Sequence, residues 1–252
     1  MSWVKTPKEI EKIKEACRIA ALVLSELKNH MHEGISTAEL DNIAEDLIIK
    51  NGALPAFKGY RGYRHTTCIS INESVVHGIP GSRKLKNGDI VGVDVGTIHN
   101  GFFGDNAATF PVGKISEKAA KLINCSEECL NLAIAEARGG NRIGDISSVI
   151  EQRARKDGFS VVKDLFGHGV GRQLHEDPLI PNFGKRGEGS ELLPGMVIAI
   201  EPMVNTGSSR IVTLDDGWTV KTEDKGLSAH SEHTILITEG EAEVLTCRPI
   251  KM

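Results

Sequence analysis

The same local grammar occurs twice in this chain, about a hundred residues apart, and that repetition constrains its fold more than any other feature. Thr6-Pro7-Lys8-Glu9 reads as a capping box with proline at the first helical position. Ile10, Ile13, Cys17, Ala20, Leu24 and Leu27 follow at spacings of three and four, which predicts an amphipathic helix. After Gly34-Ile35-Ser36, Thr37 is placed to cap a second, shorter helix through Leu40, Ile43 and Leu47 that stops at Asn51-Gly52. In the second copy, Ser116-Glu117 opens a helix through Ala119, Ile123, Leu130, Ile134 and Ala137, and Gly139-Gly140 stops it. Asp145 then caps a shorter helix (Ile146, Val149, Ile150) ending at Asp157-Gly158.

Strand segments match in pairs as well. Asn87-Gly88 leads into Ile90-Val91-Gly92-Val93-Asp94, and Pro194-Gly195 leads into Val197-Ile198-Ala199-Ile200-Glu201. In each, the acid falls six residues after the glycine. We read this as a diverged duplication, with halves of about 7–112 and 116–246 that each deliver a carboxylate from an equivalent strand. The alternative is coincidence of common local patterns. No low-complexity linker separates the halves, and the GKRGEG run at 184–189 reads as a surface loop, so one fused domain is expected.

Composition excludes several function classes. With 30 Lys+Arg against 34 Asp+Glu and no basic block, the chain lacks the clustered charge that phosphate backbones require, so no sequence-specific nucleic-acid partner is expected. A mean hydropathy of −0.17, with no apolar run near about 18 residues, excludes a spanning helix and a membrane partner. Met1 to Glu9 contain no apolar signal-peptide region, which points to the cytoplasm. Five cysteines, an odd number without a CxxC, read as reduced thiols, and Cys125 and Cys129 as packing neighbours on one helix face.

The residues able to carry chemistry cluster on the strands. Alternation puts Asp94 on the face shared with Gly92 and Gly96, while Val91, Val93 and Val95 point the other way. Asn100-Gly101 is a two-residue hairpin signal, and a hairpin centred there opposes Asp94 to Ala107 and Gly96 to Asp105. Asp94 and Asp105 become diagonal neighbours, roughly 7–8 Å apart, that repel unless a cation sits between them. One such acid alone would read as a solvated hairpin face. Glu201 and Glu232, the latter heading the apolar run Thr234 to Ile237, add two acids in corresponding strands. Gly167-His168-Gly169-Val170-Gly171 surrounds an imidazole with residues that let the backbone approach a ligand, although Leu174 breaks the third glycine of a phosphate-loop pattern. Four oxygen donors and one imidazole without a thiolate favour manganese, iron or cobalt and permit zinc, and four acids exceed what one ion requires. The chemistry expected is metal-assisted hydrolysis, in which paired metals hold a hydroxide and polarise the carbonyl it attacks.

The ordered set Asp94, Asp105, His168, Glu201 and Glu232, with Ser74-Val75-Val76-His77-Gly78-Ile79-Pro80 upstream, resembles the type I methionine aminopeptidases of bacterial kind, metallopeptidases of the pita-bread fold, from about Pro7 to Val244. The resemblance implies an α/β (α+β) architecture of two pseudo-twofold-related helix-helix-sheet halves around a curved antiparallel sheet. It implies removal of the initiator methionine from nascent proteins and peptides when the second residue is small. Two divalent ions (cobalt, manganese or iron, with zinc permitted) are implied, Asp94 chelating one, Asp105 and Glu232 bridging, and His168 and Glu201 completing the other. His77 and His175 would contact substrate and stabilise the tetrahedral intermediate, and Glu201 would also move a proton. Tyr60, Tyr63, Cys68 and Trp218 match the methionine-pocket positions. Four positions depart from the family pattern without touching the metal ligands: Phe57 stands where a cysteine is frequent, Leu174 replaces a phenylalanine, His230 a glutamine and Leu165 an aromatic.

Alone, His77 would read as a loop residue and Trp218 as packing; His30, His32, His65, His99 and His233 read as surface or locally hydrogen-bonded. The implied partners are methionyl peptides, nascent chains and the ribosome, met by a monomer. Two alternatives remain at this level. An X-Pro aminopeptidase or dipeptidase of the same fold usually carries an additional N-terminal domain, whereas the first helix here begins by Pro7. A non-enzymatic binding module would lose metal ligands, and all five are present. The run from His175 to Glu201 leaves no room for the type II helical insertion, and no N-terminal zinc-binding extension precedes Pro7.

Overall fold

A computed structural model describes residues 3–247. The four expected helices form: α1 (Pro7–Lys28), α2 (Thr37–Lys50), α3 (Glu117–Glu136) and α4 (Ile143–Lys156). At α1 the Thr6 hydroxyl accepts the Glu9 N–H while the Glu9 carboxylate accepts the Thr6 N–H, so both halves of the capping box are made.

Two expected caps sit elsewhere. Ser36, not Thr37, caps α2, through a reciprocal box with Glu39; Thr37 is the first helical residue and its hydroxyl donates to Gly81 O at 3.1 Å. Asp145 is the third residue of α4, and it reaches back to accept the Arg142 N–H at 2.7 Å. In both cases the acid at the third helical position accepts the N-cap N–H, so the cap lies three residues before that acid. The end of α3 also comes early: Glu136 is its last residue, three before Gly139.

The strands are antiparallel throughout. Ile90–His99 pairs Phe102–Pro111 on one edge, and Thr67–Ile71 with Leu54–Pro55 on the other. The turn is made by Asn100 and Gly101, both left-handed at φ 50° and 76°, as a two-residue hairpin demands, and the register sets Asp94 opposite Ala107 and Gly96 opposite Asp105. A five-stranded sheet in the second half has the spatial order 243–244, 233–236, 197–200, 166–169, 176–181.

Helices cover the outer face of each sheet. Val91, Val93 and Val95 pack with Leu24, Leu27, Leu40 and Ile48 of α1 and α2. Ile198, Ile200 and Ile235 pack with Leu122, Leu130, Ile146 and Ile150 of α3 and α4. Each fully buried aliphatic side chain contributes about 1.5–3 kcal/mol. A third cluster ties α1 to the second sheet, where Ile13 and Cys17 of α1, with Phe102, meet Val197, Ala199 and Leu236. The 197–200 strand is therefore apolar on both faces, with Val197 and Ala199 in the core. Glu201 escapes that core because the strand ends at Ile200. Among the described residues, no helix is long and apolar enough to cross a membrane.

The two halves are also stitched along the edge of the 102–111 strand by polar contacts that step in antiparallel register. Thr109 Oγ1 donates to His230 O at 2.8 Å and accepts the His230 N–H at 2.9 Å, the Glu232 N–H donates to Ala107 O at 2.9 Å, and Thr234 Oγ1 donates to Asp105 O at 2.7 Å. These four hydrogen bonds bring Asp105 and Glu232 close together across the two halves of the chain.

Candidate active site

All eleven residues proposed from the sequence line one cavity of about 350 Å³: Asp94, Asp105, His168, Glu201, Glu232, His77, His175, Cys68, Tyr60, Tyr63 and Trp218. The floor is carboxylate and imidazole. One ligand atom each from Asp105, His168 and Glu232 lies within 4.8 Å of the others. His168 Nε2 stands 3.8 Å from Asp105 Oδ2 and 3.6 Å from Glu201 Oε1. Its Nδ1 lies 2.9 Å from Gly169 O; a carbonyl only accepts, so Nδ1 carries the proton and the Nε2 lone pair faces the acids.

The glycines around His168 serve a purpose different from ligand approach. A Cβ on Gly167 would sit 2.4 Å from Ala199 O, and one on Gly169 would sit 2.3 Å from Asp177 O. They admit the neighbouring strands, and that close packing aims the imidazole at the floor.

The acids bear the cost of this crowding. Burial, then the Asp105 and Glu201 charges, raise Asp94 well above the usual aspartate value, and burial with Asp105 and Asp94 does the same to Glu232. Burial raises Asp105 to about 6 against the opposing pull of His168. Glu201 runs the other way: burial pushes it up, but the His230, His168 and His175 imidazoles outweigh that and hold it below the usual glutamate value. Asp94 Oδ1, Asp105 Oδ1 and Glu232 Oε1 are buried oxygens without a hydrogen-bond donor. Carboxylates that repel one another around unpaired inward oxygens fit a bound divalent cation, which supplies the missing positive charge.

The wall above this floor is apolar and aromatic. Ala56, Phe57, Tyr63, Cys68 and Leu174 form a buried cluster with Tyr60, Ile98, Phe103 and Trp218 against it. Cys68 lies directly opposite Asp94 in the strand register, which turns its thiol toward the cavity. Tyr63 donates to Thr67 O at 2.8 Å and meets Trp218 edge-on at 5.0 Å. Asp41 of α2 braces this wall by accepting the Thr66 and Thr67 N–H groups at 3.1 and 2.7 Å. His77 follows the Ser74–Val76 strand with φ 58°, a left-handed conformation that costs a non-glycine residue about 1–2 kcal/mol and turns the side chain into the cavity. Burial lowers its pKa, and burial with His168 alongside presses His175 down to about 4, so both are neutral near pH 7.

Some members of the site were not read from the sequence. His230 enters the sequence reading only as a replacement, yet its Nε2 lies 3.5 Å from Glu201 Oε2; the available signal is its place two residues before Glu232. Arg61 and Leu179 line the cavity mouth without any sequence cue. Leu165 lies outside the lining, packed beside Val162, Met203 and Val220. Of the histidines set aside, His233 bonds Thr246 Oγ1 at 2.8 Å and His32 bonds Glu33 O at 3.1 Å.

The profile of metallopeptidase family M24 matches residues 11–239. Methionine aminopeptidase 1 of Bacillus subtilis (strain 168) is 53% identical over 242 residues, 96% of this chain and 98% of that protein. The solved methionine aminopeptidase of Thermotoga maritima superposes with a TM-score of 0.95 at 47% identity, covering 96% of this chain and 98% of that one. A prolidase from Pyrococcus furiosus shares the fold at a TM-score of 0.80 and 28% identity, but this chain spans only 66% of it. With the pita-bread architecture and near end-to-end likeness to such relatives, the chain belongs to metallopeptidase family M24, among its methionine aminopeptidases.

Proposed function

We propose that the protein removes the N-terminal methionine from peptides and nascent proteins whose second residue is small. The observation that carries this reading is the cavity itself, where an acid-imidazole floor without a thiolate lies beneath a wall of Phe57, Tyr63, Cys68, Leu174 and Trp218. A soft, unbranched thioether side chain suits such a wall. Asp94, Asp105, His168, Glu201 and Glu232 would hold two divalent ions, and manganese, iron or cobalt match that donor set best, with zinc permitted. Bound there, the ions supply Lewis-acid polarisation of the peptide carbonyl and activation of a water.

The chain's own groups do the rest. The apolar wall binds the methionine side chain and excludes water from it. His77 and His175, neutral near pH 7, offer hydrogen bonds to the carbonyl without adding charge to the floor. Glu201, whose carboxyl is held below the usual glutamate value and is ionised near pH 7, accepts the proton of the attacking water and returns it to the leaving amine. An initiator methionine is the first residue of a newly made chain, which makes nascent peptides at the ribosome, in the cytoplasm, the natural encounter.

The test is cleavage specificity after anaerobic reconstitution with manganese, iron or cobalt. Methionine should be released from Met-Ala and Met-Ser peptides and not from Met-Lys. Equal cleavage of X-Pro peptides would overturn the reading in favour of the prolidase-like branch.

A further inference from the structure

Two imidazoles stand next to each other in the cavity, with His168 and His175 ring centroids 4.3 Å apart, and their Nδ1 atoms meet different partners. At His168 the Nδ1 partner is a carbonyl, which can only accept. At His175 the Nδ1 partner is the Tyr60 hydroxyl, at 2.8 Å, from a side chain 115 residues earlier. A neutral imidazole has one N–H and one lone pair, so whatever bonds Nδ1 decides what Nε2 can do. A carbonyl at Nδ1 leaves Nε2 as a lone pair. A phenol that donates to Nδ1 leaves Nε2 as an N–H.

The segment that presents this phenol is held against its own preference. Tyr60 opens the 3-10 turn Tyr60–Gly62, and the chain passes through left-handed φ at Gly59 (93°), Arg61 (48°) and Gly62 (89°). Arg61 has a Cβ and is strained there. Three backbone bonds lock the turn: Gly59 N–H to Tyr63 O at 2.7 Å, Tyr60 N–H to Phe57 O at 2.9 Å and Tyr63 N–H to Tyr60 O at 2.9 Å. The rings of Tyr60 and His175 then lie 5.2 Å apart, tilted by 40°, which brings the hydroxyl to the Nδ1 edge.

We propose that Tyr60 is a positioning residue that donates to His175 Nδ1 and fixes the Nε2–H tautomer, so that His175 presents a donor to the substrate while its neighbour His168 presents a lone pair to the floor. The Nδ1 partner thereby sorts two adjacent histidines into a substrate donor and a metal ligand. This rests on the peptidase reading of the cavity, and gives the Tyr60 hydroxyl a task separate from its ring's place in the methionine wall.

Long-range 15N–1H correlation spectra of the zinc-loaded, histidine-labelled protein read the tautomer directly, with His175 assigned by the loss of its signals in His175→Asn. Wild-type His175 should carry its proton on Nε2. Tyr60→Phe keeps the ring and removes only the oxygen; it should let the Nδ1–H form appear and lower kcat for a Met-Ala-Ser peptide about tenfold, with KM within about twofold. A proton on Nδ1 in the wild-type spectrum overturns the proposal, and that result needs no variant to fold. So does Tyr60→Phe with an unchanged tautomer and a raised KM at full kcat, which would make Tyr60 wall alone. If the wild type released no methionine at all, the peptidase reading would fail, while the tautomer measurement would still stand.

Discussion

Two pairs of strands deliver the four carboxylates of the site by different routes. Asp94 and Asp105 ride one hairpin, eleven residues apart in sequence, with a two-residue turn that dictates their register. Glu201 and Glu232 are thirty-one apart and flank the pairing of 197–200 with 233–236, in which one further step past Ile200 and His233 brings the two acids opposite each other. The electrostatics differ as well. The hairpin pair is acid against acid, and both members are pushed up. In the second pair, Glu232 is pushed up while Glu201 is held down by His230, His168 and His175. In the first pair the charged groups beside Asp94 are all acids; in the second, Glu201 has imidazole partners. We expect the hairpin pair to govern whether metal binds, and the Glu201 side to govern how protons move once it does.

The largest effect tests the first half of that contrast. Asp105→Ala should lose bound metal and lower turnover by at least about 1000-fold, as seen by metal analysis alongside peptide cleavage. Full activity in that variant would remove Asp105 from the metal set. His175→Ala separates the two halves further: turnover should fall about 100-fold while metal content stays at the wild-type level. Loss of metal there would place His175 among the ligands.

Smaller effects probe how the two pairs are joined. Thr234→Val removes a hydroxyl that donates to Asp105 O at 2.7 Å and leaves that buried carbonyl without its partner. It should cost about 1–3 kcal/mol in chemical denaturation and weaken metal affinity, because it loosens the stitch between the pairs. An unchanged midpoint would show that the hairpin holds Asp105 unaided. The metal-free protein should also respond to pH in a direction opposite to ordinary acid unfolding. Asp105 has its folded pKa raised from 3.8 to about 6, so the folded state binds the extra proton. Its contribution to stability is fully present below about pH 3.8 and is lost as pH rises through about 6. Thermal melts of metal-free protein should fall across that window relative to Asp105→Asn, and added metal should reverse the fall. Gly101→Ala, which puts a Cβ at φ 76°, should cost only about 1 kcal/mol and leave the Asp94–Asp105 register intact.

The contrast also explains what the sequence made legible. The hairpin register could be read in full because Asn100-Gly101 fixes it locally, and all five proposed metal ligands share one cavity. The pairing of Glu201 with Glu232 could be guessed only as correspondence between strands, since the intervening 30 residues carry no register signal. The same limit hid His230, whose nearness to Glu201 depends on a strand that pairs with Met203–Asn205, and the threonine stitches at Thr109 and Thr234. Helix starts were misread by one to three residues where a hydroxyl or acid inside the first turn resembled the cap itself. The glycines beside His168 were read as ligand-facing, when their real constraint is the neighbouring strands, a long-range fact that local pattern does not contain.

The measurement that bears most directly on this account is calorimetric titration of the metal-free protein with manganese or cobalt in buffers of different ionisation enthalpy, at about pH 6 and about pH 7.5. Raised carboxylates must shed protons to ligate a cation, so binding should saturate at two ions per chain, release protons, and tighten at the higher pH. Binding that releases no protons and is equally tight at both pH values would contradict the acid-against-acid pair as the seat of the metals.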